Sequence, residues 1–373
     1  MRERFQISGG QFFALLYVFL IGTSTMLLPV SRAGRDAWIA VLLATAGGVG
    51  LFGLYAAIVR VSGGKTIIGA ARLAFGPALG AAIGALYIWF FLHLGSLVLR
   101  NLVELYATAI MLRTPVLVFA IVITFLAAWS VLLGIEVIAR TAEILTLLLL
   151  LGKILLEVLA FATPDLIHLE RLLPILENGP LPVVQGTVPV LAFPFGETVL
   201  LAAILPYLMP RRHGWRIAAG AMGLAGLLLF AVVVRDLAVL GPTEFSRQTI
   251  PSLSSLTLIS IGEFVQRIDA IVLVVWTYGI FAKYTITYYI LSSSLAELLH
   301  LSAYRPLVLP LGIILVTLSL LVYENFGEMA SFAMNGYPAY AFVFEIALPL
   351  LILAGVILKA RRRKGKAASS GRA

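Results

Sequence analysis

Apolar residues run along this chain in long blocks, separated by short polar stretches. A helix needs about 20 apolar residues to cross the hydrocarbon of a bilayer. Blocks of that kind fall at 8–30, 37–60, 78–111, 115–134, 137–162, 181–209, 214–240, 266–298, 305–323 and 336–358. The pattern predicts an all-α integral membrane protein with about ten transmembrane helices. The block 78–111 is long enough to tilt or protrude. The connection 62–77 is polar and basic, with a short surface helix expected at 66–74. The stretch 163–180 is Pro-rich and acidic, and 241–265 reads as interfacial helices. Residues 1–358 form a single transmembrane domain in halves of about 8–162 and 181–358, and 359–373 read as a basic, disordered tail.

Composition strengthens this picture. The chain is 61% hydrophobic and 12% charged, with a mean hydropathy of +1.03. A soluble domain is nearer half apolar and a quarter charged, so this chain has too little charge to coat an aqueous core. Lipid resolves the conflict, because apolar surface facing acyl chains needs no polar cover. Cysteine is absent, which excludes disulfides and thiolate metal sites. The four histidines are far apart and form no metal-binding pair, so neither a metal nor a cofactor is implied.

The net charge of +9 does not point to nucleic acid, since the basic residues cluster at helix ends and in the tail. Arg2, Arg4, Arg60, Lys65, Arg72, Arg211, Arg212, Arg216 and the run from Lys359 fall on one side. Arg32, Arg35, Arg113, Arg171 and Arg247 fall on the other, with Asp165, Glu170, Glu177, Glu324 and Glu328. The positive-inside rule puts both termini in the cytoplasm, which demands an even helix count. The N-terminus loosely resembles a signal peptide, but the run Phe12–Val30 is too long and carries Gly22-Thr23-Ser24-Thr25 in its middle. It reads as a retained first helix.

The first and sixth spans are interrupted, at Gly22-Thr23-Ser24 and at Phe193-Pro194-Phe195-Gly196-Glu197. Pro194 removes a backbone donor and clashes with the preceding turn. These spans open the two five-helix halves. Matching breaks in corresponding spans mark an inverted-repeat transporter, with freed backbone groups facing a solute at the midplane. Taken singly, such breaks merely kink a helix.

Ionisable residues at membrane depth cost a few kcal/mol each, so they should face the bundle interior. In the third span His93, Ser96, Arg100, Glu104 and Thr108 share one face. Arg100 and Glu104 either neutralise each other or line a solute path. Lys153, deep in the fifth span, reads as a proton carrier, as a fixed cation, or as the partner of Glu157. Glu197 reads as a solute ligand or as a helix cap. Lys283 and Glu345 are also deep, though Lys283 has the length to snorkel. Lys153, Lys283 and Glu345 are the candidates for ion or proton coupling. Arg235 and Asp236 read as solvated anchors near a helix end. A membrane-embedded enzyme would need a converging nucleophile and base or an acidic cluster, and none is visible. The chain reads as not an enzyme.

Several of these segments together resemble one family. Ile7-Ser8-Gly9-Gly10-Gln11, Gly22-Thr23-Ser24, Asp36-Ala37-Trp38-Ile39, Arg140-Thr141-Ala142-Glu143 and Phe193-Pro194-Phe195-Gly196-Glu197 look like those of the endospore germination permeases, the B-type subunits of nutrient germinant receptors. These are similar in turn to the amino acid–polyamine–organocation transporters. The resemblance implies a LeuT-like 5+5 inverted repeat with broken helices one and six. It also implies a receptor subunit in the inner spore membrane that binds a small nutrient such as an amino acid, beside an A-type membrane subunit and a C-type lipoprotein. The solute pocket would map to Gly22, Thr23, Ser24, Glu104, Phe193, Phe195, Gly196 and Glu197. Lys153 is similar in position to a lysine of sodium-independent relatives. A working secondary transporter for amino acids or organic cations, proton-coupled or not, would use the same pocket.

Overall fold

The computed structural model describes residues 6–109, 113–209, 213–260 and 268–370. Arg2, Arg4, Arg211, Arg212 and residues 371–373 lie outside these, as do the side chains of Thr108 and Asp269. The helices are α1 (Gly9–Ser24), α2 (Ala37–Val61), α3 (Ile67–Phe75), α4 (Pro77–Ala109), α5 (Val116–Leu133), α6 (Ile135–Ala162), α7 (Leu181–Val190), α8 (Gly214–Arg247), α9 (Pro251–Leu256), α10 (Ile268–Leu298), α11 (Arg305–Leu321), α12 (Phe326–Ser331), α13 (Tyr337–Phe342) and α14 (Leu348–Ser370). Among the described residues eight helical spans are long and apolar enough to cross a membrane, and α1 and α11 are shorter apolar helices. Together they account for the ten expected spans. The expected surface helix is α3, and α9 lies within the predicted interfacial stretch.

The first span departs from expectation. Its helix ends at Ser24, not near residue 30, and the chain continues through a turn to a 3₁₀ segment at Ser31–Asp36. Sixteen residues rise only about 24 Å, less than the roughly 30 Å of hydrocarbon. The short helix is viable because it is central. Phe12 and every residue from Ala14 to Ser24 are buried, and α1 packs against α6, α8 and α10. A helix apolar all round belongs in such a position. Its start is fixed by a capping box, in which Ser8 Oγ accepts from the Gln11 N–H and Gln11 Oε1 accepts from the Ser8 N–H, each at 3.1 Å. Lipid-facing helices look different. Phe125 on α5 is 62% exposed and Ile144 on α6 is 73% exposed, and acyl chains cover such side chains.

The sixth span is broken where Pro and Gly predicted. The α-helix stops at Val190 and a wide π-turn covers Leu191–Phe195, with Phe193 at φ −126° and ψ 116°. A 3₁₀ segment then runs over Gly196–Ala203. The chain enters α1 where this span ends: Ile7 N–H donates to Tyr207 O at 3.0 Å, and Met209 N–H to Ile7 O at 3.2 Å. The two broken spans therefore start from opposite ends of the molecule, as an inverted repeat requires. The tenth span is interrupted twice. Between α12, α13 and α14 lie π-turns at Phe332–Gly336 and Val343–Ala347, a local geometry often found at functional sites. It begins at Phe326, earlier than its hydropathy implied, capped by Asn325 Oδ1, which accepts from Glu328 N–H at 3.0 Å.

One cluster corrects the sequence reading. Arg235 and Asp236 are not solvated anchors but are 1% and 2% exposed. Arg235 Nη1 reaches Glu157 Oε1 at 2.5 Å and Nη2 reaches Asp236 Oδ1 at 2.7 Å. Asp236 also accepts from the Ser252 and Ser255 hydroxyls at 2.6 and 2.5 Å. The covering element is α9, which folds back over the end of α8. Glu157 thus pairs with Arg235, not with Lys153, because the guanidinium reaches across from α8.

Candidate functional site

Lys283 lies near the middle of α10 and is fully buried. It does not snorkel. Its Nζ donates to Glu197 Oε2 at 2.5 Å and to Thr23 Oγ1 at 3.0 Å. It also lies 4.8 Å from the ring centroid of Phe19 and 4.7 Å from that of Phe193. The second Glu197 oxygen accepts from Tyr337 Oη at 2.9 Å. One ion pair therefore joins α10 to both broken spans, and the tenth span closes it. Removing two charges from water is unfavourable unless they pair and find further hydrogen bonds, and here both conditions are met.

Gly22 makes this arrangement possible. A Cβ there would stand 2.7 Å from Gly279 O and 2.8 Å from Lys283 Cβ, so only glycine lets α1 approach α10 this closely. Ser24 turns inward on its own helix and donates to Leu20 O. Phe195 points the other way and packs on Gly48 of α2. Gly196 leaves room for the Glu345 carboxylate, which a Cβ would overlap. Tyr55 Oη lies between two carbonyls of this junction, 2.8 Å from Glu345 O and 3.2 Å from Gly196 O. Glu345 sits in the second π-turn, 1% exposed, and its Oε1 has no hydrogen-bond partner among the described residues.

A small cavity of about 40 Å³ adjoins the ion pair. Phe193 and Glu197 border it from the sixth span and Leu27 from the turn after α1. Leu94, Leu97, Val98 and Asn101 border it from α4, and Met329, Phe332, Ala333 and Tyr337 from the tenth span. The walls are mainly apolar, with a few polar groups, which is the usual make-up of a small-molecule site.

Of the sequence candidates, Phe193 and Glu197 border the cavity, and Thr23 reaches it through Lys283. Glu104 lies apart. It accepts from Arg100 Nε at 3.1 Å, while Arg100 Nη1 and Nη2 reach Ser319 O and Glu324 O at 3.3 and 3.1 Å. Asn101, one residue on, faces the cavity and accepts from Tyr323 Oη. Lys153 is also elsewhere. Its Nζ lies 5.9 Å from the Trp276 ring centroid, beside the Arg235 cluster.

Residues 6–327 match the family model described as spore germination protein. The chain belongs to that family, the spore germination permeases. The permease is 32% identical over 369 residues to Spore germination protein KB of Bacillus subtilis (strain 168), covering 98% of each chain. It is similar in structure to Mhp1, a nucleobase-cation-symport-1 family transporter, with a TM-score of 0.63 and 11% identity over 99% of this chain and 94% of that one. It is also similar to a Na⁺-coupled sialic acid symporter, with a TM-score of 0.64 and 10% identity over 96% and 90% of the two chains. These likenesses show the fold, which is that of the LeuT-type transporters. The permease is an integral membrane protein of that architecture.

Tyr337 and Phe19 complete the permease site, and neither stood out in the sequence. Tyr337 carried a usable signal, because it follows Asn335-Gly336 and precedes Pro338, a Gly/Pro interruption of the tenth span like that of the sixth. Phe19 carried none, being one apolar residue in a wholly apolar helix.

Proposed function

We propose that this permease is the B-type subunit of a nutrient germinant receptor. In this reading it lies in the inner spore membrane with both termini on the spore-core side, beside an A-type membrane subunit and a C-type lipoprotein. A small nutrient, most simply an amino acid, binds in the cavity at Glu197 and shifts a conformational equilibrium. Family membership supports the germination role. The single observation that carries the binding reading is the cavity bordered by Phe193 and Glu197 at the break of the sixth span. Thermal unfolding of the purified permease with a panel of nutrients tests it. A ligand at 100 times its Kd adds about 2.7 kcal/mol to stability. No stabilisation by any nutrient, with the partner subunits present, overturns the reading.

A second reading, an ion-coupled transporter for amino acids or organic cations, draws on the buried Glu345, whose Oε1 accepts no hydrogen bond among the described residues. Lys283, Glu345 and the more distant Lys153 are then the coupling residues. Concentrative uptake of a labelled amino acid by proteoliposomes holding the permease alone favours this reading. Nutrient binding without uptake favours the receptor.

A further inference from the structure

Lys283 fills a cage made for an ammonium ion. One carboxylate oxygen, one hydroxyl and two aromatic faces surround its Nζ, at 2.5, 3.0, 4.8 and 4.7 Å. These groups recognise a primary ammonium whatever molecule bears it, through a charge-assisted hydrogen bond and two cation–π contacts. Two of the four, Glu197 and Phe193, also border the cavity. Cage and cavity therefore share a wall. A molecule in the cavity reaches a finished cation site by displacing the lysine head group.

The surrounding charges leave room for such an exchange. Glu197 and Glu345 are both buried close to Lys283, so two carboxylates face one ammonium. Glu345 Oε1 has no hydrogen-bond partner among the described residues. The lysine stem is flexible and its head carries three donors. If the head turns from Glu197 to Glu345, a ligand ammonium takes its place and each carboxylate has its own cation. The rest of the cavity wall is chiefly Leu94, Leu97, Val98, Met329 and Phe332, which suits an apolar body.

We infer that Lys283 is a built-in stand-in for the ligand, and that a small primary amine with an apolar body competes with it for Glu197. This rests on the cavity being the ligand site, and it narrows the ligand class: the activating molecule carries an ammonium group, and a neutral polyol does not replace it.

The test uses the full chain in nanodiscs, with butylammonium chloride as the probe and 1-butanol as its uncharged counterpart. Lys283→Met removes the stand-in and keeps the volume. The expected result is a Kd for butylammonium at least tenfold lower than that of the unaltered chain, with no change for butanol. Lys283→Arg gives no such gain. The pair Lys283→Met with Glu197→Gln abolishes the gain, because the cage then lacks its anion. Should Lys283→Met not fold alone, its refolding yield is the readout, and recovery by butylammonium but not by butanol supports the inference. Absence of a gain, an equal gain for butanol, or a gain surviving in the double variant overturns it, as does refolding rescued by neither probe. Each result is independent of germination. Butylammonium binding without any nutrient response sinks the receptor reading alone, and a nutrient response without the Lys283→Met gain sinks this inference alone.

Discussion

Gly22 and Gly279 meet backbone to backbone where α1 crosses α10, with the ideal Cβ position of Gly22 only 2.7 Å from Gly279 O. This crossing delivers Thr23 to Lys283. Gly22→Leu therefore pushes the helices apart and removes the Thr23 contact. The expected effect is a loss of about 1–3 kcal/mol from overpacking, together with loss of the nutrient response while the protein still inserts in the membrane. Gly50→Ala, where a Cβ meets nothing within 4 Å, is the control. Thermal melts and germination assays on both variants check this, and an unaltered response in Gly22→Leu refutes the role of the crossing.

Much of this architecture was legible in the chain. Ten apolar blocks gave ten spans because hydrocarbon thickness imposes a length that composition reports directly. The sixth-span break was legible because Pro194 and Gly196 act locally on the backbone. Depth and pairing were not legible. Arg235 and Asp236 sit near a helix end in sequence, and only the fold-back of α9, through Ser252 and Ser255, buries them. The Lys283–Glu197 pair joins residues 86 positions apart, a separation at which periodicity says nothing. Glu104 and Asn101 are three residues apart, yet one turns to Arg100 and the other to the cavity. Those orientations follow from α11 and the tenth span, which no local pattern encodes.

The Lys283–Glu197 pair should behave as a unit. Glu197→Gln takes from Lys283 the carboxylate that it pairs with, and Lys283→Met leaves Glu197 and Glu345 buried without that ammonium, and each is expected to lose about 3–5 kcal/mol of stability. The double variant removes both members of the pair, leaves the net charge of the site as it was, and recovers most of that loss. A double-mutant cycle by chemical denaturation or thermal melt measures the coupling. Additive losses would mean that the two charges do not sense each other. Glu197→Gln also abolishes the nutrient response, since it removes the anion at the cavity wall.

The absence of cysteine makes topology directly measurable. Single cysteines at the exposed positions Glu177 and Lys65 report the two opposite faces. A membrane-impermeant maleimide added to intact cells should label Glu177→Cys and leave Lys65→Cys unlabelled until the membrane is opened. The reverse pattern would place both termini outside and overturn the orientation read from the arginines and lysines.

The Arg235 cluster makes a prediction independent of the ligand site. Arg235 forks between Glu157 and Asp236, and Asp236 in turn holds α9 through two serine hydroxyls. Arg235→Leu takes from Glu157 and Asp236 the guanidinium that they share and is expected to lose about 3–5 kcal/mol. Arg235→Lys keeps the charge, but a single ammonium cannot reproduce the planar fork, so an intermediate loss is expected. Hydrogen exchange locates the damage. Amides of 251–258 should lose protection in both variants, while those of α1 keep theirs. Equal stability in Arg235→Leu and the unaltered chain would mean that the cluster contributes nothing to holding α9. Loss of protection spread evenly over α1 and α9 would mean that the cluster supports the whole bundle and does not anchor one connection.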